Sequence, residues 1–256
     1  MDAWLDHLVT QSLAYSLIAV MLVAFLESLA LVGLLLPGTV MMATLGALIG
    51  GGQMGLYPAW AAGIIGCLLG DWISYFIGSR FKQTLHQWSF LKRHQTLLIK
   101  TEHALHHHPV PTVLIGRFVG PTRPLIPMVA GMLGLPPYKF AVPNIIGCLL
   151  WPPAYFLPGI LAGVAIDIPA GVNSTGFKWL LLVTALLVWS GAWLGWRWWR
   201  GDKRKKRDWL SDRLPLSRLR WLAPLALASS AVASAALIAH PLMPVYRHLL
   251  WQVLQG

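Results

Sequence analysis

The chain has 256 residues, 56% hydrophobic and 11% charged, with a formal net charge of +11 and positive mean hydropathy. This is the composition of an integral membrane protein and excludes an ordinary soluble domain. Lys and Arg gather in short loops beside apolar spans, as membrane topology requires, so the charge does not call for a nucleic-acid partner.

Residues 1–10 carry Asp2 and Asp6 and no basic leading segment, so no cleavable signal peptide is expected. Residues 13–36 form an apolar run of about 24 residues, enough to cross a bilayer, with Glu27 inside it. The run ends at Pro37-Gly38-Thr39. The next apolar run, 40–49, is too short to span and stops at Gly50-Gly51-Gly52. Residues 13–49 therefore read as a hairpin bent at Pro37-Gly38. Residues 56–78 read as a full crossing that carries Asp71, with Tyr57 and Trp60 as interfacial aromatics at one end.

Residues 79–108 mix basic side chains with Phe81, Leu85, Trp88, Leu91 and Leu98, the pattern of an interfacial amphipathic helix pair. His103, His106, His107 and His108 lack the His-Glu-x-x-His order of a zinc hydrolase and read as a solvated face. No metal site and no cofactor is expected.

Residues 110–135 are apolar except for Arg117 and Arg123. Each arginine at mid-bilayer would cost roughly 2.5–3.5 kcal/mol. Pro121, Pro124 and Pro127 rule out one straight helix there. Broken backbone at membrane depth survives only where it packs in protein or lines a wet cavity. The segment thus reads as a second re-entrant hairpin that presents two cations to a buried polar site.

A second crossing, 137–163, is expected to bend at Pro143, Pro152, Pro153 and Pro158. A short loop with Asp167, a crossing at 177–199, a basic loop at 197–220, a crossing at 221–239 and a short tail complete the chain. The basic loop reads as a topology determinant and a contact for anionic lipid headgroups. The two basic segments, 79–108 and 197–220, belong on the cytoplasmic side. Four crossings and two hairpins then leave both termini outside.

Ile64-Ile65-Gly66-Cys67-Leu68-Leu69 recurs as Ile145-Ile146-Gly147-Cys148-Leu149-Leu150, an offset of 81 residues. Gly50/Gly131, Tyr57/Tyr138 and Gly78/Gly159 keep the same offset without a gap. The pattern predicts a duplicated unit of hairpin plus crossing, 13–78 and 110–163, in opposite orientations, as in transporters built from inverted repeats. Cys67 and Cys148 read as small packing residues, not as a disulfide framework.

Four ionisable residues fall at membrane depth: Glu27, Asp71, Arg117 and Arg123. One carboxylate cannot satisfy two guanidinium groups, and the surplus cation favours an anion such as phosphate. A purely structural ion pair, and a packing role for Asp71, stay open at this point. An enzyme is not expected: Arg117-x5-Arg123-Pro124 only partly matches the first lipid-phosphatase motif, and Ser79-Arg80-x5-His86 resembles the third but has Phe90 where its Asp would be.

Phe25-Leu26-Glu27, Leu36-Pro37-Gly38, Gly70-Asp71-x3-Tyr75-x2-Gly78, Gly116-Arg117-Phe118, Thr122-Arg123-Pro124, Pro127 and Ala130-Gly131 together resemble the DedA family, also called the VTT or SNARE-associated family. The likeness covers residues 12–199; residues 200–256 add a basic loop and an extra C-terminal transmembrane helix. The resemblance implies an all-α membrane fold of two facing re-entrant hairpins, each with a transmembrane helix. It implies translocation of a phosphate-headed lipid, undecaprenyl phosphate linked to the proton-motive force in bacterial relatives and phospholipids in eukaryotic ones. It maps the headgroup-binding arginines onto Arg117 and Arg123 and the proton-coupling acid onto Glu27, with Asp71 a second candidate. Pro37, Gly38, Thr39, Pro121 and Pro124 would shape the hairpin tips. Thr39 departs from the acid that many members carry after Pro-Gly. Membrane lipids are the expected partners, a homo-oligomer stays open, and the rival reading is a non-transporting assembly or homeostasis factor.

Overall fold

The computed structural model describes residues 2–30, 32–81, 103, 105, 107–116, 123–168, 174–201 and 216–255. Among these the chain is helical and has no strand. Its helices are α1 (Asp2–Ser28), α2 (Gly38–Gly50), α3 (Leu56–Arg80), α4 (Pro109–Gly116), α5 (Leu125–Met132), α6 (Pro137–Ile166), α7 (Ser174–Gly201), α8 (Leu216–Ala239) and α9 (Met243–Gln255). Four described stretches are long and apolar enough to cross a membrane: Leu56–Arg80, Pro137–Ile166, Ser174–Trp198 and Arg220–Ala239. They match the four expected crossings to within three residues at each end. Most of the expected helix pair at 79–108 (residues 82–102, 104 and 106) and the centre of the basic loop, 202–215, lie outside the described residues.

The chain forms two compact units, residues 1–164 with 250–256, and residues 165–249. In the first, α1 stops at Ser28, eight residues before the apolar run ends at Leu36. Hydropathy cannot place this stop, because the residues beyond it are as apolar as those before it. Tertiary contacts place it. Ser74 of α3 accepts a hydrogen bond from the Ala30 N–H at 3.0 Å, and its own proton faces the Gly70 carbonyl at 2.8 Å and the Ser28 carbonyl, which a helix end leaves open, at 3.3 Å. The chain then turns through bonds such as Gly33 N to Leu29 O and Leu36 N to Val32 O, and α2 begins right after Pro37.

Small residues let these helices approach closely, as membrane helices require. A side chain at Gly66 would meet the Met21 carbonyl of α1, and one at Gly78 would meet the Met128 carbonyl of α5. Gly131 of α5 abuts the Tyr75 carbonyl of α3. On the other side, Gly159 of α6 abuts the Ala43 carbonyl of α2, and Gly50 of α2 abuts the Ile160 carbonyl of α6. Both α2 and α5 end on a left-handed glycine, Gly52 (φ 68°) and Gly134 (φ 66°). The next residue, Gln53 or Leu135, bonds back five residues to Leu48 or Ala130, at 3.0 Å in each case.

The prolines of α6 do not divide it: Pro143, Pro152, Pro153 and Pro158 all lie within one helix. Pro153 has no N–H for the Leu149 carbonyl, and the Trp60 indole donates to that carbonyl instead, at 2.8 Å. In the second unit, α7 and α8 pack at Gly191 against Ala226. The expected tail is a helix, α9, whose Tyr246 ring lies 5.7 Å from that of Phe177. Pro244, in the first turn of α9, is tolerated because that N–H would have no intrahelical partner.

Candidate functional site

The site lies within the first unit, where the ends of α1 and α2 meet the residues before α5 and the middle of α6. Glu27 is in the last turn of α1 and is 7% exposed. Arg123, 6% exposed, stands just before Pro124, which precedes the first residue of α5. Nη1 of Arg123 donates to Oε1 of Glu27 in a buried ion pair that joins residues 96 positions apart. Nη2 of Arg123 reaches Ser28 Oγ at 3.4 Å. The flat guanidinium lies over the Trp151 ring, with Cζ 3.5 Å from its centre, and 5.9 Å from the Tyr155 ring. A cation on a desolvated indole face gains about 2 kcal/mol, which offsets part of the burial.

Gly38 makes room for this pair. A Cβ there would collide with the Glu27 side chain, so the first residue of α2 has to be the smallest one. Glu27, Gly38, Thr39, Arg123, Pro124 and Tyr155 are among the residues lining a cavity of about 200 Å³. Glu27 Oε2 is buried and has no hydrogen-bond partner among the described residues. The cavity thus has a cation, a carboxylate with a spare oxygen, and an aromatic wall.

Asp71, 3% exposed, occupies a second polar cluster joined to the first through Ser28 and Cys67. Ser28 Oγ donates to Cys67 Sγ at 3.3 Å, and Oδ2 of Asp71 accepts from Cys67 Sγ at 3.8 Å and from Cys148 Sγ at 3.4 Å. Neither cysteine forms a disulfide.

The structure therefore brings Glu27 and Arg123 together, places Pro37, Gly38 and Thr39 at the start of α2, and puts Asp71 beside this group. Arg117 and Pro121 lie outside the described residues. Trp151, Tyr155 and Ser28 escaped the sequence reading. Their one signal was an aromatic pair a helical turn apart, directly after the repeated hexapeptide. His103, His107 and His108 are exposed, and His106 lies outside the described residues.

The VTT domain model matches residues 36–161, and the model described as Inner membrane protein YabI, C-terminal domain, matches residues 170–256. The chain is 66% identical over 253 residues to inner membrane protein YabI of Escherichia coli (strain K12), covering 99% of each. It is 51% identical over 256 residues to membrane protein BU139 of Buchnera aphidicola subsp. Acyrthosiphon pisum (strain APS), covering 100% of each. It is 33% identical over 132 residues to inner membrane protein YqjA of Escherichia coli (strain K12), covering 50% of this chain and 59% of that one. No solved structure matches. With four helices fit to cross the bilayer among the described residues and a match of this extent to YabI, the chain is a multi-pass inner-membrane protein and belongs to the DedA family of VTT-domain membrane proteins.

Proposed function

We propose that this protein moves a phosphate-headed lipid, undecaprenyl phosphate or a phospholipid, across the inner membrane, with Arg123 and Arg117 binding the headgroup. The observation that carries the reading is the buried Arg123–Glu27 pair on the wall of the cavity. A guanidinium held flat between an aromatic face and a carboxylate can exchange that carboxylate for a phosphate of similar fork geometry. Glu27 then holds the pocket's charge balance in two states: paired with Arg123 when the site is empty, protonated when the headgroup is bound. That exchange would link transport to the proton-motive force without an acid at Thr39, and Asp71 is the second candidate for the proton.

The packing favours an inverted repeat of re-entrant hairpins. Adding the 81-residue offset turns the Gly78–α5 contact into the Gly159–α2 contact, and Gly50–α6 pairs with Gly131–α3 in the same way. Each crossing thus packs on the hairpin limb of the other unit. The terminal glycines of α2 and α5 repeat one residue out of that register.

Reconstitution tests the reading. In liposomes carrying a fluorescent phosphate-headed lipid in both leaflets, quenching from outside should reach lipid from the inner leaflet quickly with the wild-type protein. It should stay at the protein-free rate with Arg123→Ala. Folded wild-type protein that moves no such lipid would overturn the reading in favour of a non-transporting assembly factor, in which Glu27–Arg123 is a structural tie.

A further inference from the structure

We infer that Cys67, Cys148 and Asp71 form a binding site for one soft divalent cation of the zinc class, a property that the transport reading neither needs nor supplies. Sγ of Cys67, Sγ of Cys148 and a carboxylate oxygen of Asp71 all lie within 4.8 Å of one another, and all three residues are buried. The sulfur–oxygen separations are 3.4 and 3.8 Å. A tetrahedral zinc ion, with metal–sulfur bonds of about 2.3 Å and metal–oxygen bonds of about 2.0–2.2 Å, sets its sulfur and oxygen ligands about 3.5 Å apart. The sulfur–oxygen separations are therefore close to those of ligation, while the two sulfurs, within 4.8 Å of each other, have to stand about 3.8 Å apart when both bind.

The helices explain the convergence. Cys67 and Asp71 are four residues apart on α3 and so share a face. Cys148 is the counterpart of Cys67 in the repeated hexapeptide, carried by α6. The counterpart of Asp71 is Pro152, so the site takes its carboxylate from one unit only. Three protein ligands leave a fourth position open, beside Ser28 Oγ, which is 3.3 Å from Cys67 Sγ.

Ligand type sets the class of ion. Two thiolates and a carboxylate favour zinc, cadmium or cobalt over magnesium or calcium, which want oxygen alone. Charge is consistent with this. The ionised ligands bear three negative charges, a divalent cation leaves one, and Arg123 Nη2 stands 4.0 Å from Cys67 Sγ as an outer-sphere donor. The competing reading is two packing thiols that donate S–H bonds to Asp71, and such a cluster binds no ion.

The test uses the full chain, purified in detergent with its tag removed and its thiols reduced, and titrated with Co²⁺ and then Cd²⁺. The expected result is a thiolate-to-metal charge-transfer band that saturates at one ion per chain with either ion, the Co²⁺ band being lost on adding Zn²⁺. The histidines at 103 and 106–108 cannot produce that band. Cys67→Ser and Cys148→Ser should each abolish or collapse it, and Asp71→Asn should keep it with affinity at least about tenfold weaker. Zinc-edge X-ray absorption on the wild type, which needs no variant, should find two sulfur neighbours per zinc. A shell of nitrogen and oxygen alone, no charge-transfer band with both thiols reduced, or a band unchanged in both serine variants would overturn the inference.

Discussion

Arg123 ties α5 to Glu27 of α1, and the transport reading gives the same side chain the headgroup phosphate. Removing one partner of a buried ion pair leaves the other charge uncompensated, a loss of about 3–5 kcal/mol. Glu27→Ala should therefore lower the detergent-solubilised protein's stability by that order. The double change Glu27→Leu with Arg123→Met removes both charges and should restore stability to near wild type or above, because buried ion pairs replaced by apolar groups are often neutral or better. On the transport reading this restored protein is nonetheless dead in the liposome assay. A double variant that still moves lipid would show that the pair is architecture alone. Arg123→Lys should rescue poorly, since lysine keeps the charge but loses the planar fork lying 3.5 Å over Trp151. Glu27→Gln keeps the shape of the carboxylate but cannot ionise. It should blunt the effect of an uncoupler on transport more than it weakens lipid binding, and unchanged uncoupler sensitivity would remove Glu27 from coupling.

At the scale of elements, close approach at glycine decides how the helices meet. Gly38→Val would push the Glu27 side chain off its place against Arg123, so it should lose activity, whereas Val40→Thr, on an exposed neighbour outside the cavity lining, should not. Helix α9 offers a pH test outside the spans. Burial pushes the Tyr246 hydroxyl from 10.0 up to about 12. A folded-state value raised above the unfolded one means stability that is full below pH about 10 and is lost as pH climbs toward about 12. Thermal unfolding across that window should show a falling midpoint in the wild type and a smaller fall in Tyr246→Phe. Equal slopes in the two proteins would mean that another group governs the alkaline loss.

For the molecule as a whole, the proposed inverted repeat makes a topological prediction. In a background without Cys67 and Cys148, single cysteines within 50–55 should react with an impermeant reagent from outside, and those within 95–108 only from the cytoplasm. Cysteines near Gly38 and Pro121 should react weakly, through the cavity. If positions at the two ends of 110–135 label from opposite faces, that segment is a full crossing and the inverted repeat is lost. Helix α5, bounded by Pro124 and Leu133, has 8 residues, far short of the roughly 20 a crossing helix needs.

The membrane class, the four long spans and an approach of Glu27 to one of the two arginines, Arg117 and Arg123, were legible in the sequence, and the structure selects Arg123. Hydropathy over some 20 residues is a local property, and a buried charge without a partner is too costly to persist, so both could be read from the chain. It also carried the 81-residue repeat, which is a matter of identity alone. Tertiary structure decided where α1 ends, because Ser74 of another helix supplies the hydrogen bonds that make Ser28 a stopping point. It decided that Trp151 and Tyr155 wall the arginine, and that two cysteines read as packing residues converge on Asp71. It turned an expected tail into a helix whose Tyr246 packs against Phe177. Each of these depends on which faces of distant helices meet, and in the first unit that is settled by the fit of glycine against backbone between segments far apart in the chain.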